Sequence, residues 1–308
     1  MLIAGPNLTI DRTSTIPELR PGDVLRVADV EVTPGGKGLN VARAARALGA
    51  RPMLVGFLPG RTGRAAGEMI ADEGVPLAGV TVAGEIRSTA IILEPGGRAT
   101  VINEPGPEID DDDWMAFEAA VGADVHMHRV LVCSGSVPPG SPDDAYARLV
   151  VRAHRDGVPV IVDATGPILA AALDAGPELV TPNLGEAEGL LHGRVDEAVE
   201  ASPDAQPRAE AAALQLVEAG AATAIVTAAA AGAALAIGDQ VKWLAAPYIE
   251  HVRNPIGAGD VLTAAVAAGL EDGIDFIEAA RRGVAAAAAS VEAPRAGDVD
   301  PARMAELL

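Results

Sequence analysis

Lysine is almost missing from this sequence of 308 residues: Lys37 and Lys242 are the only two, and arginine supplies the remaining positive charge. Basic residues of both kinds are outnumbered, 23 against 43 acidic ones, for a net charge of −20. A field of that sign repels phosphate backbones and anionic lipid surfaces, so no nucleic-acid or membrane partner is expected. A small phosphate-bearing substrate stays open only where basic residues gather locally, and one of the two lysines does stand inside a glycine turn, GGKG at 35–38. Cysteine is represented by Cys133 alone, which rules out an intramolecular disulfide and fits a reducing cytoplasm. Its apolar surroundings, RVLVCSG, read as core rather than as the setting of a nucleophile. Long hydrophobic runs are lacking too. The stretch 221–238, the main part of the longest uncharged run, is dominated by Ala, Thr and Gly and reads as strand, turn, strand. The N-terminal MLIAGPNL breaks after a short apolar run, so no signal peptide is expected.

What is present is a rhythm. Short apolar runs at 2–5, 53–57, 130–133, 158–163, 179–181 and 224–227 read as buried strands. Between them, helical patterns fall at 39–48, 64–73, 143–155 and 208–218. The alternation predicts an α/β fold, a mostly parallel sheet covered by helices on both faces. Length alone suggests about two domains, but α/β folds of this size commonly form one unit with an excursion. Two segments, 9–33 and 85–103, break the rhythm: they carry β-branched residues and the turn signals PGD and PGG, with no convincing helix. A small projecting sheet, acting as a lid, is the economical reading. The stretch 193–207, with charge, proline and no period, reads as a surface loop. The acidic run 110–113 before Trp114 reads as a helix start with solvated carboxylates, with a metal site as the lesser alternative. His126 and His128 would share a face in a strand, but lack further ligands and are expected at a surface or interface.

The chemically suggestive stretch lies late, in NPIGAGDVLTAAVAAGL. Gly257 and Gly259 allow backbone conformations that a Cβ disfavours, and the helix that follows offers unpaired N–H groups and the positive end of its dipole. Such a turn can hold a phosphoryl group in transfer while Asp260, on the first helical turn, accepts the proton of an attacking hydroxyl. The same residues can also do no more than end a loop and satisfy a helix dipole, so the turn alone leaves both readings open. A Rossmann fingerprint is excluded because Leu262 stands where the third Gly or Ala is needed. A P-loop is excluded because no Ser or Thr follows the lysine of GGKG.

Elsewhere, Asp11 in PNLTIDRT and Gly35, Gly36 and Asn40 around the first glycine turn can hydrogen-bond sugar hydroxyls. Arg26 and Arg87 fall in the two lid segments, where a guanidinium can clamp a phosphate or simply face solvent. Asn183 and Glu186, in TPNLGEAEGL, follow a strand end, the edge at which open α/β sheets bind ligands. They can position a hydrated magnesium ion, with Glu186 acting through water, and the same spacing is a helix cap; the two roles are compatible.

Taken in order, PNLTIDRT, PGGKGLNVARAARALG, INEPGPEI, CSGSVPPG, TPNLGEAE and NPIGAGD resemble the ribokinase-like carbohydrate kinases of the phosphofructokinase B family. Within it they are similar to the branch of 1-phosphofructokinases and tagatose-6-phosphate kinases. The resemblance runs over essentially the whole chain. It implies one kinase domain over 1–308, with a three-layer α/β/α core, a mostly parallel sheet and a β lid from about 9–33 and 85–103. It implies a phosphorylated ketohexose as acceptor and ATP with Mg2+ as donor, and leaves a monovalent cation open. By the same route Asp260 is the base and Gly257, Ala258 and Gly259 the anion hole. Asp11, Gly35, Gly36, Lys37, Asn40 and Ser136 lie at the sugar, and Arg26 and Arg87 at its phosphate. Asn183, Glu186, Thr227, Ala229 and Gly232 belong to the nucleotide side. A homodimer through the lid is implied as well. The chain departs from the family at Thr181, where lysine is usual before the PN pair. It departs again at Ala228 and Ala229, where a Leu-Gly pair is usual, and at Ile86, in place of Thr before Arg87. A kinase of unphosphorylated sugars or nucleosides, and a sugar-phosphate sensor without catalysis, are the competing expectations.

Overall fold

A computed structural model describes residues 1–95, 98–193 and 199–308. In chain order the elements are β1 (Leu2–Ala4), β2 (Thr9–Thr15), β3 (Glu31–Gly35), α1 (Lys37–Ala47), β4 (Met53–Pro59), α2 (Gly60–Asp72) and β5 (Leu77–Val82). There follow β6 (Arg87–Leu93), β7 (Ala99–Asn103), α3 (Asp111–Asp124), β8 (Leu131–Ser134), α4 (Ala145–Arg155), β9 (Val160–Asp163), α5 (Gly166–Asp174), β10 (Leu179–Val180) and α6 (Leu184–His192). The C-terminal part holds α7 (Ala205–Glu218), β11 (Thr223–Ala228), β12 (Gly232–Ile237), β13 (Gln240–Ala245), α8 (Ala258–Glu271), α9 (Phe276–Ser290) and α10 (Pro301–Leu307).

Strands β8 and β9 are buried at every position, the pattern of parallel strands covered on both faces. They belong to a nine-stranded sheet of order β13-β12-β11-β10-β9-β8-β1-β4-β5. Its strands run parallel from β11 to β5, and the β11–β12–β13 hairpins add an antiparallel edge. The chain winds outward from β1 in one direction through β4 and β5, and in the other through β8 to β11. The crevice beyond the carboxyl ends of β1 and β8 is therefore a topological switch point, where such sheets bind ligands.

One core lies between the sheet and helices α3 to α7, with Phe57, Trp114 and Phe117 clustered at centroid distances of 4.9 and 5.2 Å for the two pairs sharing Phe117. The other lies under α1, α2 and the alanine-rich pair α8 and α9. Along β1 the period of 2 divides the side chains, Leu2 and Ala4 to the first core and Ile3 to the second. Helices α8 and α9 approach closely because Gly283 carries no side chain; a Cβ there would stand 2.9 Å from Val266 Cγ2. Cys133 is fully buried, as its surroundings indicated. Among the described residues no helix is long and apolar enough to cross a membrane.

The two segments that interrupt the rhythm form a second sheet of four strands, order β3-β2-β6-β7. Its middle pair, β2 and β6, is parallel, and the outer pairs are antiparallel. Register sets Thr9 opposite Arg87 and Asp11 opposite Thr89, which brings two distant stretches of sequence onto one patch.

Some details differ from the sequence reading. Residues 194–198 of the loop expected over 193–207 lie outside the described residues, and its remainder contains a 3-10 turn at Val199–Ala201 and the start of α7. His126 lies in a 3-10 turn, Val125–Met127, with His128 just after it, so the two are not alternating members of a strand. The acidic run does open a helix: Asp110 accepts from the Asp113 amide at 2.9 Å, and Asp113 accepts from the Asp110 amide at 3.2 Å. Among the described residues no group of three or more acidic, His or Cys side chains could hold a metal ion.

Candidate active site

Above the switch point lies a cavity of about 1090 Å³, floored by the carboxyl ends of the parallel strands and walled by the second sheet. Its catalytic-looking corner is the start of α8. Asn254 fastens the approach, accepting from the Ile256 amide at 3.0 Å and donating to the Pro294 carbonyl at 2.9 Å. Gly257 then takes φ 83°, and a Cβ there would also stand 3.1 Å from the Gly297 amide. Both facts require glycine. The amides of Gly259 and Asp260 find no backbone acceptor among the described residues, as expected for a first helical turn. Gly259 has open space on its Cβ side.

Asp260 is only 5% exposed, and its Oδ2 accepts from Asn40 Nδ2 at 2.8 Å. Burial pushes its carboxyl up to about 7, with the charge of Asp163 adding to the shift and Lys37 and the Asn40 hydrogen bond opposing it. Lys37 donates to Asp163 Oδ1 at 3.1 Å and to Glu186 Oε1 at 3.4 Å. Those carboxylates, together with Asp260, favour the protonated ammonium and outweigh the desolvation of this half-buried side chain. The lysine thus faces the carboxylates of β9 and α6 and forms the seam between the two ends of the cavity. Asp163 was not among the residues singled out from sequence. Its signal was an acidic residue ending the apolar run VIVD, on the ligand-binding edge of the sheet.

At one end stand Asp11, Asn7, Arg87 and Ser136. Asp11 is 8% exposed, and burial raises its pKa against the attraction of Arg43 and Arg87. Arg87 donates to the Asn7 carbonyl at 3.0 Å and the Glu104 carbonyl at 3.2 Å. Asn7 Nδ2 donates to Ser136 Oγ at 3.0 Å. Among the described residues, Asn7 Oδ1, Asp11 Oδ1 and Arg87 Nε are buried without a partner. Asn7, Asp11 and Arg87 all line this end of the cavity, so it offers an amide, a carboxylate and a guanidinium, the groups that bind a polyhydroxylated ligand. Gly36 lines this end. Gly35 does not: it lies behind Asp11, where a Cβ would stand 2.0 Å from the carboxylate, so its role is to leave room for that side chain. Arg26 is also absent from the cavity wall. It is exposed in the irregular stretch between β2 and β3, where no strand pairing fastens it to the cleft, so the expected two-arginine clamp is not assembled within one chain.

At the other end Asn183 caps α6. Its Oδ1 accepts from the Glu186 amide at 2.8 Å, and Glu186 Oε2 accepts from the Asn183 amide at 3.0 Å. The cap occupies Oε2 and leaves Oε1 toward Lys37. The Thr181 hydroxyl, in the place where lysine is usual, is spent on the Thr263 hydroxyl at 2.9 Å. Thr227, Ala229 and Gly232 line the wall here. Ala229 has φ 43°, the one non-glycine residue with positive φ among those described. A left-handed alanine costs roughly 1–2 kcal/mol, so the backbone keeps the turn that glycine would make more easily. Glu200, unmarked by any sequence signal, lines the same end and is pushed up to about 7 by burial and by Glu186.

The model of the pfkB family carbohydrate kinases matches residues 7–303. The chain belongs to this family. Among solved structures it is similar to phosphofructokinase-2 of Escherichia coli in complex with fructose-6-phosphate, at 28% identity and a TM-score of 0.83, over 100% of this chain and 98% of the other. It is similar to a possible 1-phosphofructokinase of Thermotoga maritima at 25% identity and a TM-score of 0.86, over 99% and 96%. In fold it also matches a ribokinase of Arabidopsis thaliana complexed with ribose and ATP, at 24% identity and a TM-score of 0.74, over 99% and 97%. As a pfkB-family protein it is a sugar kinase that transfers a phosphoryl group to a hydroxyl, built on the ribokinase-like fold.

Proposed function

We propose that the chain uses ATP to phosphorylate the free hydroxymethyl group of a ketohexose monophosphate, with fructose 1-phosphate, fructose 6-phosphate and tagatose 6-phosphate as the candidates. The observation that carries this reading is the corner at α8: a buried carboxylate with a raised pKa, beside the Gly257, Gly259 and Asp260 amides, which find no backbone acceptor among the described residues, in the wall of the large cavity above the switch point.

Asp11, Asn40 and the amides of the first glycine turn bind the sugar hydroxyls, and Arg87 takes the existing phosphate. Asp260 draws the proton from the acceptor hydroxyl as it attacks the γ-phosphoryl in line, and the amides of Gly257, Ala258 and Gly259 neutralise charge on the migrating group, Ala258 by giving up a long 3.5 Å bond to the Pro255 carbonyl. Lys37, between the two ends, adds a cation at the same place. Closure of the β2-β3-β6-β7 sheet over the sugar excludes water and limits hydrolysis of the donor. The donor end is a set of hard oxygen ligands too few for a protein cage, which fits magnesium carried in with phosphates and keeping its water. Glu186 and Asn183 would hold that ion, and when bound it screens the phosphate charges. An ADP-release assay over phosphorylated and free ketohexoses tests the reading. Turnover on a monophosphate is expected, and turnover only on free sugars or nucleosides would transfer the assignment to the competing kinase class.

The solved structures to which the chain is similar include the tetrameric inhibited form of phosphofructokinase-2 from Escherichia coli. We propose that this chain dimerises through the lid, whose strands and loops expose Val24 (81%), Ile102 (60%) and Val32 (42%). Sedimentation should give a dimer that Ile102→Asp weakens; a monomer at micromolar concentration would contradict it.

A further inference from the structure

Arg43 lies on α1, one turn after Asn40, and is 7% exposed, an unusual place for an arginine outside an ion pair. Its guanidinium is fully committed. Nε donates to Glu73 Oε2 at 2.6 Å and Nη2 to Glu73 Oε1 at 2.9 Å, a two-pronged pair with the residue that closes α2. Nη2 also donates to the Pro34 carbonyl, and Nη1 to the Ala296 carbonyl at 3.4 Å. The remaining bond runs from Nη1 to Asn40 Oδ1 at 3.0 Å.

That bond decides which way the Asn40 amide points. A guanidinium only donates, so it demands the carbonyl oxygen of Asn40 and turns the NH₂ group toward Asp260. The opposite orientation would set amide hydrogens against the guanidinium and a carbonyl oxygen against the Asp260 carboxylate. The loop after α9 fixes the backbone of the same residue: a Cβ at Gly297 would stand 2.7 Å from Asn40 Cα. Glu73 is held in turn by Arg295, whose Nη1 donates to it at 3.1 Å while Nη2 pairs with Asp298 at 2.8 Å. From the sequence the arginine is merely one of two in NVARAARALG, and nothing in its spacing distinguishes it.

We infer that Arg43 is a positioning residue for the reaction: anchored by Glu73, it locks Asn40 so that the Asn40 amide donates to the Asp260 carboxylate. This rests on the reading of Asp260 as the base. The groups facing Asp260 are Lys37 and Asn40 from α1, Asp163 from β9 and Glu186 from α6. Of these only Asn40 is bonded to Arg43, so an effect of Arg43 on the base passes through that amide.

A double-mutant cycle separates this role from a purely structural tie between α1 and α2. Arg43→Gln is expected to lower kcat about tenfold or more and to move the acid limb of kcat/KM to higher pH, because the amide that favours the carboxylate is no longer held to it. In an Asn40→Ala background the same substitution should change kcat by less than about twofold. An equal loss in both backgrounds, or an unshifted acid limb, overturns the inference. Should Arg43→Gln not fold, Arg43→Lys keeps a cation beside Glu73 but loses the fork, and the same limb shift is expected. Should the Asn40→Ala background be too slow to follow, the acid limb of Arg43→Lys decides alone, and no shift overturns the inference. If Asp260→Asn is as active as wild type, the reading of the base fails. If that variant is inactive while the Arg43 effect is independent of Asn40, only the positioning role fails.

Discussion

Asp260→Asn lowers kcat by about 10²-fold or more and leaves sugar-phosphate binding largely intact, because the amide keeps the volume and one hydrogen bond of the carboxylate but cannot take a proton. The size follows from what a positioned base supplies; the amides of the turn continue to neutralise the migrating phosphoryl in the variant. The wild-type pH profile carries the same signature. Only the deprotonated carboxylate accepts the hydroxyl's proton, so kcat/KM falls as pH drops through the raised pKa, with its acid limb near 7 rather than in the ordinary aspartate range. In Asp260→Asn that limb should vanish from the residual rate. Wild-type turnover in the variant, or a wild-type profile flat down to pH 5, would count against Asp260.

The second large effect belongs to Arg87. Its Nε is buried and unpartnered among the described residues while the two Nη groups are held on the Asn7 and Glu104 carbonyls. Burial lowers its pKa, with Asp11 and Glu104 opposing, so the guanidinium is a partly desolvated cation in the cavity wall. A charge-assisted hydrogen bond is worth about 1.5–3 kcal/mol, so Arg87→Ala should raise KM for a phosphosugar about 10- to 100-fold. The effect on a free ketohexose should be slight. With Arg26 exposed and away from the cavity, Arg87 carries this load within one chain. Comparable losses on phosphorylated and free sugars would show that the residue supports the lid rather than the phosphate.

Much of this arrangement is legible in the sequence because it rests on local signals. Gly257 and Asp260 announce a helix start, Asn183 and Glu186 a cap, and the alternation of apolar runs with helical patterns a parallel sheet. Even the second sheet can be read, since two segments lacking helix periodicity had to go somewhere, and β2 and β6 pair. What stays hidden depends on approach in space. Strand β5, LAGVTV, is half-exposed at the sheet edge and has no continuous apolar run to mark it. Helix α9 is charged only in its first half, at Glu278, Arg281 and Arg282, and its alanine-rich second half is buried almost throughout, so no polar face marks a period there. Asp163 ends an apolar run, but its partner Lys37 is distant in sequence, and Glu200 and Arg43 acquire meaning only from spatial neighbours and from burial that no local pattern encodes. Arg26 fails for the converse reason: its type and segment suit a phosphate, but the chain between β2 and β3 does not bring it in.

Lys37 shows how these levels meet. In sequence it is a rare residue in a glycine turn; in the fold it joins Asp163 and Glu186 and lies close enough to Asp260 to lower its pKa. One cation therefore offsets three carboxylates around the place where a phosphoryl group would pass. A bound nucleotide adds further negative charge there, which explains why a chain of net charge −20 keeps a lysine at this position.

The account rests on an acceptor hydroxyl meeting Asp260 beside the amides of α8, and a crystal structure with a ketohexose monophosphate and a non-hydrolysable ATP analogue tests this most directly. The account predicts the free hydroxymethyl oxygen within roughly 2.6–3.2 Å of an Asp260 carboxylate oxygen, with the terminal phosphate on the Gly257–Gly259 amides and the sugar phosphate on Arg87. A ternary complex with that hydroxyl turned away from Asp260, or with the terminal phosphate held elsewhere, would contradict it.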